Sequence, residues 1–249
     1  MRVAFFELEE WERQELERGL FESHELHLSM LPLNERTLAQ EYDTEIVSVF
    51  IHSSLSRAVL DALPHVRLIA TRSTGFDHID LAACHERGIL VSNVPSYGEN
   101  TVAEHTFALI LALSRNIHKA FVHTLAREIH FKELRGFDLA GKTLGVIGAG
   151  RIGLHVIKIA KGFGMQVVAF DVRQEPLLTE VLNFRYVALD ELLSISDIIS
   201  LHCPYMPSTH HLLNAENVRR VKRGALLINT ARGGLIDPAA LTQALDEGI

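Results

Sequence analysis

The stretch that most constrains how this chain folds lies at residues 144–171. Leu144, Val146 and Ile147 form a short apolar run that reads as a buried strand. A G-x-G-x-x-G pattern follows at Gly148, Gly150 and Gly153, then a helical pattern with Ile152, Val156, Ile159, Ala160 and Phe163 on one face. Gly164 stops the helix, residues 166–170 read as a second strand, and Asp171 stands at its end. Gly148 permits a tight turn, Gly150 lets a pyrophosphate approach the backbone, and Gly153 lets helix and strand pack closely. The free N–H groups and positive dipole end of the helix attract phosphate. Asp171, 18 residues after Gly153, stands where an acid accepts from a ribose 2′-hydroxyl. The glycine pattern alone is weak evidence, and a glycine-rich turn that binds nothing is the plain alternative. Strand, glycines, helix, strand and acid in this order predict a dinucleotide site. Asp171 favours NAD over NADP because a carboxylate repels a 2′-phosphate, whereas Arg173, two residues on, could accommodate one.

With 249 residues, one or two domains are expected, and the chain is long enough for a sizeable core. A 47% hydrophobic and 22% charged composition fits a globular protein. The net charge of −7 gives no electrostatic case for nucleic acid and disfavours an anionic membrane surface as partner. Two cysteines, Cys84 and Cys203, make no disulfide framework, and a reducing cytoplasm is the simplest setting. The N-terminus turns acidic too soon for a signal peptide. No uncharged apolar stretch approaches the ~20 residues of a membrane span; residues 106–114 are the longest candidate. The fourteen histidines raise the question of metal. His210-His211 and Cys84-His85 are adjacent pairs, and neither CxxC nor HExxH occurs, so no metal is expected and these histidines read as exposed or capping residues.

Strands are expected at 3–6, 25–29, 46–51, 66–71 and 89–92. An N-terminal helix carries Trp11, Leu16 and Leu20 as its apolar positions, Ser56 caps a helix with Val59, Leu60 and Leu63, and a short helix spans 81–86. This alternation predicts a parallel sheet covered by helices on both faces, so residues 1–100 read as one α/β domain without its own glycine fingerprint. Residues 100–125 read as one long helix, with Thr101 helping to cap it and Glu104 in its first turns. Its apolar positions (Val102, Phe107, Ala108, Ile110, Leu111, Leu113, Ile117) run nearly all round, which predicts burial between layers, and His105 within it reads as packed or interfacial rather than catalytic. Residues 101–249 form the second domain. Beyond Asp171, further strands are expected at 186–188, 197–201 and 225–229, with a short helix at 190–193. Asn214 is expected to cap a helix through Val221, with Arg219, Arg220, Lys222 and Arg223 at its C-terminal end, as the dipole prefers; phosphate binding is the alternative use of that cluster. Asp237 at N-cap, Pro238 at N1 and Gly248 after the last turn outline a final helix.

In open α/β sheets, ligands bind beyond the carboxyl ends of strands. Three such ends stand out in the second half: 148–153, 202–204 and 230–232. Arg232 lies between Ala231 and Gly233, and its planar fork suits a carboxylate or a developing alkoxide. From position alone, a structural arginine paired with a nearby acid is an equal alternative.

Five segments carry a resemblance to a known family: Thr-Arg-Ser-Thr-Gly-Phe-Asp-His-Ile-Asp at 71–80, Asn-Val-Pro-Ser-Tyr-Gly-Glu-Asn-Thr-Val-Ala-Glu at 93–104, Gly-Lys-Thr-Leu-Gly-Val-Ile-Gly-Ala-Gly-Arg-Ile-Gly at 141–153, Ser-Leu-His-Cys-Pro at 200–204 and Asn-Thr-Ala-Arg-Gly-Gly at 229–234. Together they resemble the D-isomer-specific 2-hydroxyacid dehydrogenases, and within them the D-lactate dehydrogenase branch. The resemblance implies a flavodoxin-like substrate domain followed by a Rossmann NAD-binding domain, with substrate and nicotinamide meeting in the cleft. It implies that Gly148, Gly150, Arg151, Ile152, Gly153, Asp171, Cys203, Pro204, Thr209, Thr230, Ala231 and Arg232 line the NAD site, and that the backbone of Thr74, Gly75 and Phe76 holds the substrate carboxylate. Tyr97 resembles the substrate-pocket tyrosine of the D-lactate branch, a surface or packing tyrosine being the alternative. Arg232 matches the catalytic arginine.

The expected function is hydride transfer between NAD and a small D-2-hydroxy acid or its 2-keto acid, by a homodimer. The family's catalytic glutamate and histidine belong to stretches that would follow Ile249, and neither is present here; together with the absent last strands of the nucleotide sheet, this reads as a truncated chain. The other function to be weighed is an NAD-sensing, corepressor-like binding protein of the same fold.

Overall fold

A computed structural model describes residues 1–18, 24–38, 43–127 and 131–249. The chain divides into two units, Met1–Tyr97 and Gly98–Ile249, each built on its own five-stranded parallel sheet.

In the first unit the elements run β1 (Arg2–Phe5), α1 (Glu10–Glu17), β2 (Glu25–Leu28), β3 (Ile46–Val49), α2 (Arg57–Asp61), β4 (Leu68–Thr71), α3 (Leu81–Glu86) and β5 (Leu90–Ser92). The strand order is β2-β1-β3-β4-β5, the flavodoxin-like doubly wound order. Ala4, Val47, Val49 and Ile69 of the sheet pack with Leu55, Val59, Leu60, Leu63, Ala83 and Cys84 in one core. Ser56 caps α2 as expected, its side chain accepting from Val59 N, and Asp80 caps α3 by accepting from Ala83 N. Two expectations need correction. Strand β3 stops at Val49, not at Ile51, because the next N–H groups leave the ladder: Phe50, His52 and Ser53 all donate to the Glu7 carboxylate. Helix α1 buries nothing; Trp11 is exposed and Leu16 only half-buried, while Leu20 lies outside the described residues.

The second unit runs α4 (Glu99–Ser114), α5 (Ile117–Leu125), a 3-10 turn (Phe131–Leu134), β6 (Thr143–Ile147), α6 (Arg151–Gly162), β7 (Gln166–Phe170), α7 (Pro176–Leu182), β8 (Arg185–Tyr186), α8 (Leu189–Ile195), β9 (Ile198–Leu201), β10 (Leu226–Asn229) and α9 (Pro238–Asp246). The order β10-β9-β6-β7-β8 is that of a Rossmann sheet, and its topological switch point falls between β6 and β9. Residues 144–147 of β6 and all of β9 are buried, the continuous apolar character of strands covered on both faces.

The long helix expected over 100–125 is two helices. Asn116 takes a left-handed conformation (φ 51°), which asparagine tolerates better than most residues. The Ser114 carbonyl accepts from Phe137 N at 2.9 Å, so the returning chain takes up the end of α4. Nor is the pair sandwiched. Ala103, Thr106, Phe107, Ile110 and Ser114 are buried where α4 packs against α6 and β10, but α5 buries nothing, and Leu109, Leu113, Ile117, Phe121, Val122 and Leu125 are exposed. His105 is likewise exposed. Gly98 is the N-cap of α4 with no side-chain cap; Thr101 lies two residues inside the helix and does not cap it.

The helix expected after Asn214 shrinks to a 3-10 turn at Val218–Arg220, preceded by an Asx turn in which Asn214 Oδ1 accepts from Glu216 N at 2.9 Å. The basic cluster there is held by tertiary partners, not by a helix dipole. Arg220 pairs with Asp190 at 2.5 Å, Lys222 with Asp197 at 2.6 Å, and Arg219 with Glu247 at 4.0 Å, while Arg223 donates to Gly248 O at 3.3 Å. Asp237 caps α9 as expected, accepting from Ala239 N and Ala240 N. Among the described residues no helix is long and apolar enough to cross a membrane, and no group of three or more His, Cys, Asp or Glu side chains is placed to hold a metal ion.

Candidate active site

Strand β6 hands the chain to α6 through the glycine turn, and its three glycines are required for different reasons. Gly148 has φ +96°, and a Cβ there would lie 2.6 Å from Cys203 N, at the end of β9. A Cβ at Gly153 would overlap the Gly148 carbonyl oxygen. These two are demanded by the fold. Gly150 is not: its φ is −73°, and a Cβ there would meet no atom within 4 Å. A position where nothing in the chain forbids a side chain, at the uncapped N-terminus of α6, is the place where a pyrophosphate can come against the backbone. This open space is what makes the turn fit a dinucleotide. Arg151 is exposed, with Nη1 3.6 Å from Glu99 Oε1, and Ile152 is half-buried.

Asp171 at the end of β7 is tied into the same turn. Its Oδ2 accepts from Ala149 N at 2.7 Å and its Oδ1 from Arg173 N at 2.8 Å. Each oxygen keeps a lone pair for a ribose hydroxyl. The Arg173 side chain turns to Glu175, at 3.4 Å.

At the end of β9, His202 N donates to Ile147 O at 2.7 Å and the His202 ring lies 2.8 Å from Ser200 Oγ. Burial pushes the His202 imidazole down to about 4 and the Cys203 thiol up to about 11, so both are neutral at pH 7. Thr209 shapes the loop beyond Pro204: its Oγ1 donates to Pro204 O at 2.7 Å and accepts from Met206 N at 2.8 Å. The histidine pair of this loop stacks, ring centroids 3.8 Å apart, with Tyr205 Oη 2.9 Å from His210 Nδ1.

Strand β10 delivers Thr230, Ala231 and Arg232. Asn229 brackets this segment, its Nδ2 donating to Arg232 O at 2.9 Å and its Oδ1 accepting from Ala231 N at 3.0 Å. The Arg232 backbone is extended (φ −137°, ψ 139°) and its side chain half-buried, with Nη1 3.2 Å from Ala231 O. Thr230 Oγ1 lies 3.0 Å from Thr106 Oγ1. The bracketing by Asn229 and the threonine pair escaped the sequence reading; an asparagine just before a strand-end arginine was the only signal available.

In the first unit, Thr74, Gly75 and Phe76 form the turn beyond β4, and Tyr97 lies beyond β5, exposed. The turn is fixed from below. Ser73 Oγ donates to Gly75 O at 2.6 Å, Thr74 Oγ1 to Val94 O at 2.9 Å, and Asn93 Nδ2 to Thr74 O at 2.9 Å. Among the described residues no acceptor takes the N–H of Thr74, Gly75 or Phe76, which suits them to an anionic oxygen. Arg72 beneath donates to Phe6 O at 2.9 Å, Glu7 O at 2.8 Å and Ser48 Oγ at 3.1 Å, joining the ends of β1, β3 and β4. Burial pushes its pKa down, against the pull of Glu12 and Glu7. For Glu7, burial raises the pKa, but donors from Ser53, His52 and Phe50 outweigh it and leave the carboxyl below its usual range. Neither residue was singled out from sequence, since their partners lie 24 to 66 positions away.

Residues 107–249 match the family model described as "D-isomer specific 2-hydroxyacid dehydrogenase, NAD binding domain". The chain belongs to the D-isomer-specific 2-hydroxyacid dehydrogenase family. A D-lactate dehydrogenase of Escherichia coli is 39% identical over 249 residues, 98% of this chain and 75% of that protein. A glyoxylate reductase of Korarchaeum cryptofilum is 36% identical over 243 residues, 93% of this chain and 73% of that one. Among solved structures, the D-lactate dehydrogenase of Aquifex aeolicus complexed with NAD and lactic acid superposes with a TM-score of 0.93 at 38% identity, covering 99% of this chain and 74% of that one. The NAD-binding family model and the NAD held by the Aquifex aeolicus structure make NAD the cofactor and NAD-dependent oxidoreduction the chemistry of this protein. The chain spans about three-quarters of the length of these relatives.

Proposed function

We propose that the protein interconverts a small, lactate-like D-2-hydroxy acid and its 2-keto acid, with residues 1–100 as the substrate domain and 101–249 as the NAD domain. The observation that carries this reading is Arg232: a guanidinium at a strand's carboxyl end, its backbone bracketed on both sides by Asn229, on the same sheet as the glycine turn. NAD, when bound, takes up or supplies the hydride. Gly148, Gly150, Arg151, Ile152 and Gly153 receive its pyrophosphate, Asp171 its ribose, and Cys203, Pro204, Thr209, Thr230 and Ala231 line the remainder. Arg232 grips the substrate carboxylate and polarises the carbonyl with a charge already in place. The N–H groups of Thr74, Gly75 and Phe76 hold carboxylate oxygen, and Tyr97 sets the lactate-like preference. Neither His202, held neutral by burial, nor any other histidine in this chain is assigned the proton transfer. The exposed apolar row on α4 and α5 is assigned to a homodimer contact.

The test is NADH oxidation by the full-length protein with pyruvate, glyoxylate and phenylpyruvate. Turnover is expected, and Arg232→Gln is expected to lower kcat/KM by about 10²- to 10³-fold, the loss typical of a preorganised electrostatic group. Absence of turnover on every 2-keto acid sinks the proposal. If NADH-dependent capture of a protein partner accompanied that absence, the corepressor-like alternative would take its place.

A further inference from the structure

Helix α4 reaches the arginine loop through one buried hydroxyl. Thr106 is fully buried on that helix. Its Oγ1 donates to Val102 O at 2.8 Å and lies 3.0 Å from Thr230 Oγ1. A hydroxyl carries one proton. With that proton given to Val102 O, the bond between the threonines runs one way only: Thr230 O–H donates and Thr106 Oγ1 accepts.

We infer that Thr106 is a positioning residue for the reaction, fixing through Thr230 the 230–232 segment that carries Arg232. A threonine bonded back to its own helix is ordinary, and valine would fill the same buried space. The further bond to a residue 124 positions away is what ordinary helix chemistry does not require. Thr230 is thereby held from beneath while Asn229 holds Ala231 and Arg232 from the side. Together with Leu235 N donating to Arg232 O at 3.2 Å, these bonds leave the segment little freedom to swing. Misplacing a reacting group by about 1 Å can cost about 100-fold in rate, so the loss of the threonine bond is expected to show in turnover first. The inference rests on Arg232 being the catalytic arginine.

The experiment compares Thr106→Val, which keeps the shape and removes both bonds, with Thr106→Ser, which keeps the hydroxyl, in the full-length protein. Thr230→Val breaks the same bond from the half-buried loop, leaves the α4 packing intact, and serves if Thr106→Val does not fold. Thr106→Val is expected to lose about tenfold in kcat for a 2-keto acid while NADH Kd moves less than about threefold. Thr230→Val, at a residue itself assigned to the NAD site, is read on kcat alone with a loss of the same order, and Thr106→Ser is expected to stay within about twofold of wild type on both. The inference is overturned if folded Thr106→Val, or Thr230→Val in its place, keeps wild-type kcat. It is also overturned if the serine variant is as impaired as the valine one, or if the loss appears in NADH Kd and not in kcat. Arg232→Gln, assayed alongside, separates the two claims. Full activity in that variant removes Arg232 from catalysis whatever Thr106 does, whereas an inactive Arg232→Gln beside an unaffected Thr106→Val leaves the arginine in place and removes only the threonine.

Discussion

The three glycines of the nucleotide turn separate two demands that sequence motifs merge, and alanine at each position should show which is which. At Gly150 the backbone (φ −73°) accepts any residue and the added methyl meets nothing. Stability should change little: removing a glycine's freedom in the unfolded chain contributes about 0.4–1 kcal/mol, while alanine is a poorer N-cap than glycine by a comparable amount. Pyrophosphate binding should suffer, because the methyl holds the phosphate away from the N–H groups. Losing one hydrogen bond to a charged group costs about 1.5–3 kcal/mol, a 10- to roughly 150-fold rise in NADH Kd. At Gly153 the methyl would overlap the Gly148 carbonyl, and helix and strand must part. Overpacking of this kind costs about 1–3 kcal/mol, or about 2–4 °C in Tm per kcal/mol for a chain of this size. Gly148→Ala adds a disfavoured positive φ to a 2.6 Å approach to Cys203 N and should be the worst of the three for stability. The assays are thermal unfolding without cofactor and NADH fluorescence titration. If Gly150→Ala lowers Tm as far as Gly153→Ala does, or binds NADH with unchanged Kd, the separation is wrong.

Asp171→Ala removes the charge that repels a 2′-phosphate, but it also strips Ala149 N and Arg173 N of their acceptor. NADH affinity should fall by about one to two orders of magnitude, with NADPH affinity staying below the wild-type NADH value; titration with both cofactors checks this. The His202 imidazole, lowered to about 4 by burial from an ordinary value near 6.5, prefers the neutral form in the fold. Its contribution to stability is therefore complete above about pH 6.5 and lost as pH falls toward 4. The stability difference between wild type and His202→Gln, from denaturant titrations at several pH values, should shrink across that window, and a constant difference would contradict it. Asp197 is raised by burial, but its bonds from Lys222 and Thr143 leave it lowered overall. The advantage of wild type over Lys222→Met should then be full near neutrality, fade as pH drops through the carboxylate range, and weaken with added salt because Lys222 is half-exposed.

The sheet architecture and the nucleotide turn were legible because their signals are local. Apolar runs alternate with helical patterns, glycines sit at fixed offsets, and Asp237-Pro238 announces α9 with its own side chain. What stayed hidden depends on partners far along the chain. The apolar pattern of 100–125 continues straight through Arg115 and Asn116, and only the return of Phe137 N to the Ser114 carbonyl accounts for the break. The cluster at 219–223 looked like a helix terminus because charge at a C-terminal end has a local explanation; its acids, Asp190 and Asp197, lie 30 and 25 positions upstream. In the site itself, the residue types at strand ends were readable, whereas what steadies them was not: Thr106 beneath Thr230, and Arg72 and Glu7 beneath the turn at 74–76.

The contacts of Gly148 and Gly153 bear on how the cofactor arrives. The end of β6, the start of α6 and the end of β9 meet backbone to backbone, with only glycine hydrogens between them. Such a joint has no side chains to rearrange, so the seat for the phosphates is finished when the chain folds and not when NAD appears. Little conformational entropy remains to be lost there on binding. Ordering linked to cofactor binding therefore belongs to the more exposed loop at 204–211, and hydrogen exchange should slow there when NADH is added, while Gly148 N and Ala149 N, already bonded to Phe170 O and Asp171 Oδ2, barely respond.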